Sequence, residues 1–132
     1  MPSANQCELS RVYVRKSGGQ VSEESIKDDA SFDVVLEAEA GQALFNNGGT
    51  YKLMMVLTDL TGDYVTYATN TLSGTFGDAN WPHPVLSLPF TLPPAGPGRD
   101  DHVFQAVGVL SAGKSDPIVD TGQSDIFIIT QP

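Results

Sequence analysis

Apolar and polar residues alternate with a period of two along most of the chain. Phe32, Val34, Leu36, Ala38 and Ala40 take turns with Asp33, Val35, Glu37 and Glu39. That pattern predicts a strand with one row on a core and its carboxylates mostly in solvent. Ala-Glu-Ala leans toward helix, but Asn46-Asn47-Gly48-Gly49 soon interrupts it. Tyr51, Leu53, Met55 and Leu57 form a second inward row, opposite Lys52, Met54, Val56 and Thr58. Met54 and Val56 leave this strand apolar on both faces, as expected of a central strand or one covered by a partner. Thr61-Gly62-Asp63 is a turn signal, and alternation resumes over Tyr64–Asn70, which predicts a β-hairpin. Val85–Leu92 puts Leu86, Leu88, Phe90 and Leu92 on one face. Pro89 falls on the other and confines the strand to an edge or a bulge. His102–Ala112 and Asp125–Thr130 supply the last strands. Leu9–Arg15, with Val12 and Val14 inward, supplies the first.

No segment of ten or more residues keeps a helical period, and no internal repeat occurs. About seven short strands, separated by loops rich in Gly, Pro, Asn and Asp, predict an all-β fold. The expected architecture is a two-sheet antiparallel sandwich, with a jelly roll as the rival. Ser17–Ala30 reads as a polar, acidic loop with room for a short edge strand at Val21. Pro93-Pro94-Ala95-Gly96-Pro97-Gly98 is a stiff connector, not a linker between domains.

Length and charge narrow the picture further. A chain of 132 residues fits a single domain, 1–132, that needs no metal or disulfide staple. The formal net charge is −9, from 7 Lys+Arg against 16 Asp+Glu. An acidic chain of sequence pI near 4.3 is ill-suited to a phosphate backbone or to anionic lipid, so neither nucleic acid nor membrane is an expected partner. Cys7 is the one cysteine, which excludes an internal disulfide and any CxxC framework. The polar start Met1-Pro2-Ser3-Ala4-Asn5-Gln6 lacks the apolar region of a signal peptide. The expected location is the cytoplasm, or release without a signal as part of a particle.

The C-terminal third resembles an immunoglobulin-like or fibronectin type III sandwich. Asp100, His102, Phe104 and Ala106 have the spacing of the Asp-x-Gly-x-Tyr-x-Cys stretch along strand F. Ala112-Gly113-Lys114-Ser115-Asp116-Pro117 is similar to the Gly-x-Ser-x-Pro turn that follows it in fibronectin type III domains. Ile126, Ile128 and Thr130 would then lie on strand G. The chain departs from the pattern in three places. Phe104 lacks the corner hydroxyl, Phe32-x-Val34 in the strand-B region has no cysteine, and candidate strand C, Tyr51–Leu57, has no tryptophan. The resemblance implies an architecture and leaves function open.

Candidate chemistry is sparse. Asp100, Asp101 and His102 are the residues from which a metal site or an acid–base pair would be built, but neighbours on a strand point to opposite faces. Nucleophile elbows, Ser-x-x-Lys, His-Glu-x-x-His and phosphate-cradling glycine loops are absent from the sequence. Cys7 beside Glu8 is not poised as a thiolate. An enzyme is not expected, and no cofactor is. If a cation is held it is calcium, and two of the pairs Asp28/Asp29, Asp59/Asp63, Asp100/Asp101 and Asp116/Asp120 would have to meet at one end of the sandwich. Trp81, between Asn80 and Pro82, is either an exposed platform extended by Tyr64 and Tyr67 or a plug closing one end of the core. Val35, Met54 and Val56 stand on faces that ought to be polar, and the expected function is a non-catalytic interaction or structural module, docking a protein partner or a second copy through a strand edge or a sheet face, above all the one bearing Met54 and Val56. The alternative is a glycan- or ligand-binding sandwich that uses Trp81, Tyr64 and Tyr67.

Overall fold

The computed structural model describes residues 6–61, 64–113 and 118–132. It is an all-β sandwich of two sheets. The strands are β1 (Cys7–Lys16), β2 (Ser25–Lys27), β3 (Phe32–Ala40), β4 (Thr50–Asp59), β5 (Val65–Thr75), β6 (Val85–Leu92), β7 (Val103–Ala112), β8 (Ile118–Gln123) and β9 (Phe127–Thr130). The smaller sheet runs β1-β3-β6 and the larger β2-β9-β7-β4-β5, with β8 also paired to β7. A single helical turn-and-a-half, α1 (Gln42–Asn46), and a 3-10 turn at Pro97–Arg99 lie between strands.

The period-two rows set the core. Phe32, Val34, Leu36 and Ala38 of β3 face Leu53, Met55 and Leu57 of β4, and Phe104, Ala106 and Leu110 of β7, with all of these at most 1% exposed. Burial of such side chains is the main stabilising term, about 1.5–3 kcal/mol each for the large ones. Gly108 and Gly122 stand opposite one another on β7 and β8. A Cβ on Gly108 would lie 2.8 Å from Leu9 and 3.0 Å from Val12, so the glycine lets β1 approach the larger sheet. Asp120 fastens the same flank by accepting the Leu9 N–H at 2.7 Å.

Several expectations need correction. The edge strand expected at Val21 lies instead at Ser25–Lys27, because Ile26 is the residue that reaches the core, 1% exposed against 70% for Val21. It pairs with β9 in parallel, so the sandwich is not wholly antiparallel. The expected last strand, Asp125–Thr130, is β9 from Phe127 onward, and a strand not foreseen, β8, precedes it; the pairing with β7 shifts register between the two, around Ser124. There the serine hydroxyl accepts the Ala106 N–H at 2.9 Å and donates to the Asp125 carbonyl. A hydroxyl in the ladder lets the strand shift register without orphaning a buried N–H. A second shift, between Leu9 and Arg11, moves the inward row of β1 from Cys7 and Leu9 to Val12 and Val14. Asp33, expected in solvent, is 2% exposed. Its carboxylate accepts from Arg15, Ser17, the Gly18 N–H and Thr91. Burial works against that charge, and the donors outweigh it and hold the carboxyl below the usual range. The turn residues Gly62 and Asp63, and the turn segment 114–117 with Asp116, lie outside the described residues.

Candidate functional site

Trp81 is a plug, not a platform. It is fully buried, with its ring edge-on to Tyr51 and Phe76 at 4.9 Å from each. Its Nε1 donates to the Pro84 carbonyl. The local sequence folds this way because Asp78 gathers the loop: its carboxylate accepts the N–H groups of Thr75, Asn80 and Trp81 and the Tyr51 hydroxyl. Burial opposes the Asp78 charge, yet those donors keep it below the usual range, while burial and the Asp78 bond push Tyr51 up to about 12. Tyr64 is exposed at the start of β5, and Tyr67 is half-buried against Phe104 at 5.0 Å. Tyr51 and Asp59 mark opposite ends of β4, roughly 26 Å apart at strand rise. Trp81 sits at the first end and the Tyr64–Tyr67 segment at the second, so the three rings form no common surface.

The titratable residues converge differently from their order in the chain. His102 does not act with Asp100 or Asp101; its Nδ1 lies 2.6 Å from Oδ2 of Asp59, which also receives Arg99 at 2.6 Å. Oδ1 of Asp59 accepts the Thr61 N–H. Asp59 is 2% exposed; burial opposes its charge, and His102, Arg99 and Thr61 overcome that and keep it low. The Arg99 guanidinium lies over the Tyr67 ring at 5.0 Å. This cluster ties the end of β4 to the start of β7 and to the connector. A buried carboxylate so supplied with donors is a structural fastening. Arg99, the residue that completes it, carries no sequence signal beyond its neighbours. Asp101 has a left-handed backbone, φ 65°, and Asp100 turns to Asp28 across the end of the sandwich. Among the described residues no group of three or more His, Cys, Asp or Glu converges as a metal site. Cys7 is buried, and burial with the nearby Asp120 charge pushes its thiol up to about 11, which suits packing and not nucleophilic attack.

The outer faces of the two sheets are unlike. On the larger sheet Met54 stands between Thr71 of β5 and Val109 of β7, and Val56 between Thr69 and Val107. All four apolar side chains are half-buried. Farther along β7, Val103 pairs with Ile128. Together with Ile126, 56% exposed, they line an open groove of about 530 Å³ rimmed by Glu24 and Asp125. Met54 and Val56 stand out in the sequence itself, while their β7 neighbours Val109 and Val107 are set by the strand register.

No family model and no curated protein matches the chain. Among solved structures it is similar to a glycosyl hydrolase family 2 member from Bacteroides cellulosilyticus DSM 14838, with a TM-score of 0.57 and 14% identity. That match covers 93% of this chain and 15% of the other. A second similarity is to Spo0M, the sporulation control protein of Bacillus subtilis, with a TM-score of 0.47, 12% identity, and 94% and 51% coverage. The first likeness is one of fold: an all-β sandwich that occupies a small part of a much longer chain. No helix among the described residues is long and apolar enough to cross a membrane.

Proposed function

We propose that this chain is a non-catalytic sandwich module that docks a protein, another subunit or a second copy, on the outer face of its larger sheet. The observation that carries this reading is the set Met54, Val56, Val107 and Val109, side by side on adjacent central strands and facing away from the core. Contiguous apolar surface on a soluble domain marks an interaction site more often than scattered residues do. The net charge of −9 keeps such a module soluble and favours a neutral or basic partner surface. The strand order supports the finer reading of an immunoglobulin-like plan. β3 and β6 share one sheet, and β8–β9, β7, β4 and β5 lie in sequence on the other, as strands B and E do against G, F, C and C′. The Asp59, Asp33 and Asp78 clusters are read as fastenings because donors already fill their oxygens. The glycan-binding alternative loses its anchor with Trp81 in the core.

A photo-crosslinking amino acid placed at Val107, in the cells that make the protein, tests the docking face; the control is the same probe at Glu37 on the smaller sheet. A discrete adduct from position 107 and none from position 37 is expected. Equal labelling from both, or none from position 107, overturns the reading.

A further inference from the structure

We propose that β5 is the edge through which two copies of this chain pair, strand against antiparallel strand, about a two-fold axis at Thr71. Among the described residues β5 is paired on one side only, by β4. N–H groups alternate sides along a strand, and three of them fix which ones face the open side. Phe76, just past β5, donates to the Gly49 carbonyl, just before β4, at 2.9 Å. Thr75, one residue earlier, therefore points away from β4, and its N–H goes to Asp78. The Thr71 N–H has the same phase and is met by the Oδ1 of its own neighbour Asn70, at 2.9 Å. Thr69 and Ser73 share that phase, so β5 offers a row of backbone groups to a further strand.

The other margins of the sandwich are guarded, and this one is not. Pro89 interrupts the donors of β6, β2 is 3 residues long and carries Lys27, and β1 and β8 are tied by the Leu9–Asp120 bond. β5 runs 11 residues with no proline and no charged side chain, in a chain of net charge −9. Two copies so charged repel on most approaches, and a neutral strip is where they can close. The strip is also self-complementary. A bulge at Tyr67, skipped between the Leu57–Ala68 and Thr58–Thr66 pairs, ends its regular part on one side. Asp78 occupies the Thr75 N–H on the other. Thr71 is the midpoint of the span Ala68–Gly74 that remains. An antiparallel pairing centred there sets Thr71 against Thr71, Thr69 against Ser73 and Asn70 against Leu72. Hydroxyl then faces hydroxyl on the outer side, a favourable cross-strand pairing, and the two-fold closes the assembly at two copies. This pairing stands apart from the docking face and does not require that face to be covered.

The test is sedimentation velocity of the whole chain from roughly 10 μM to 1 mM, a range suited to a small interface, with amide hydrogen exchange at both ends of it. A dimer is expected to form as concentration rises and to slow exchange at Thr69, Thr71 and Ser73 by at least about tenfold. Thr71→Pro removes a paired donor from each copy and no bond to β4. Asn70→Lys puts a charge on the inner row of the edge, opposite Met55 and away from the docking face, while lowering the net negative charge. Each is expected to weaken dimerisation at least about tenfold, and Val107→Lys, on the docking face, to leave it unchanged. Should Thr71→Pro fail to fold, Asn70→Lys and the exchange pattern of the unaltered chain decide. A chain that stays monomeric to the top of the range overturns the proposal, as does a dimer whose β5 amides exchange as in the monomer. A dimer lost in Val107→Lys but kept in Asn70→Lys also overturns it, and leaves the docking face as the contact between copies.

Discussion

Val35 and Val56 send the same signal from the sequence, an apolar residue on the side of a strand that ought to be polar, and the fold answers them in opposite ways. Val35 stands between Tyr13 of β1 and Pro89 of β6. Tyr13 is capped in turn by the Arg11 guanidinium at 4.1 Å. Beside them the Arg15–Asp33 ion pair, 3.0 Å, roofs the smaller sheet. Val35 ends with no exposure at all. Val56 is flanked by Thr69 and Val107 and stays half-exposed. Around Val35 the smaller sheet thus supplies its own cover, from Tyr13 beneath Arg11 and from the Arg15–Asp33 pair. The larger sheet leaves Val56 partly exposed, with Thr69 and Val107 as its cross-strand neighbours. An apolar residue on a polar row is evidence for a partner only after the chain's own cover has been counted.

The comparison breaks first on a charge test. Val35→Lys is expected to cost more than about 3 kcal/mol, since the longer charged side chain at a fully buried position must displace the Tyr13 and Arg11 cover and sits beside the Arg15 guanidinium, whereas Val56→Lys stays within about 1 kcal/mol. Urea unfolding of the two variants measures both, and equal losses would erase the distinction. Removing the roof's anchor is expected to come next. Asp33→Ala strands Arg15, Ser17, Gly18 and Thr91 as donors and should lower stability by about 2–4 kcal/mol. Because the Asp33 carboxyl is held below its ordinary value of 3.8, its contribution is complete above that value and is lost as pH falls through the lower folded one. Acid unfolding curves of Asp33→Asn should therefore be flatter below pH 3.8 than those of the unaltered chain. Ser124→Ala on the larger sheet should cost about 1–3 kcal/mol by orphaning the buried Ala106 N–H. The exchange rate of that amide reads the loss directly and should rise, while the amides of β3 keep theirs.

Much of the fold was legible because its signals are local. The rows of β3, β4 and β6 and the edge position of Pro89 follow from a period of two and from the chemistry of proline. What was hidden depends on register and on long-range donors. The Ser10 and Ser124 bulges change which side of a strand faces in, and nothing in the neighbouring residues announces them. Asp33 and Asp59 look like solvent carboxylates until Thr91, 58 residues away, and Arg99, 40 residues away, deliver their donors. The acidic pairs Asp28/Asp29 and Asp100/Asp101 were visible as pairs, but the approach of Asp28 to Asp100 comes from the β2–β9 seam. Trp81 was legible as the residue to examine; its burial turned on Asp78, whose role as a loop organiser is set by geometry.

The account rests most on the claim that the outer face of the larger sheet is the docking face, and its two adjacent methionines offer the cleanest probe. Met55 lies in the core and Met54 on that face, one residue apart on the same strand. With the methionine methyls isotopically labelled, their relaxation by a soluble paramagnetic agent is measured for the free chain and for its complex with the partner or copy captured at position 107. Met54 is predicted to lose its sensitivity to the agent on assembly while Met55 stays insensitive throughout. A complex in which Met54 remains as accessible as in the free chain would contradict the claim.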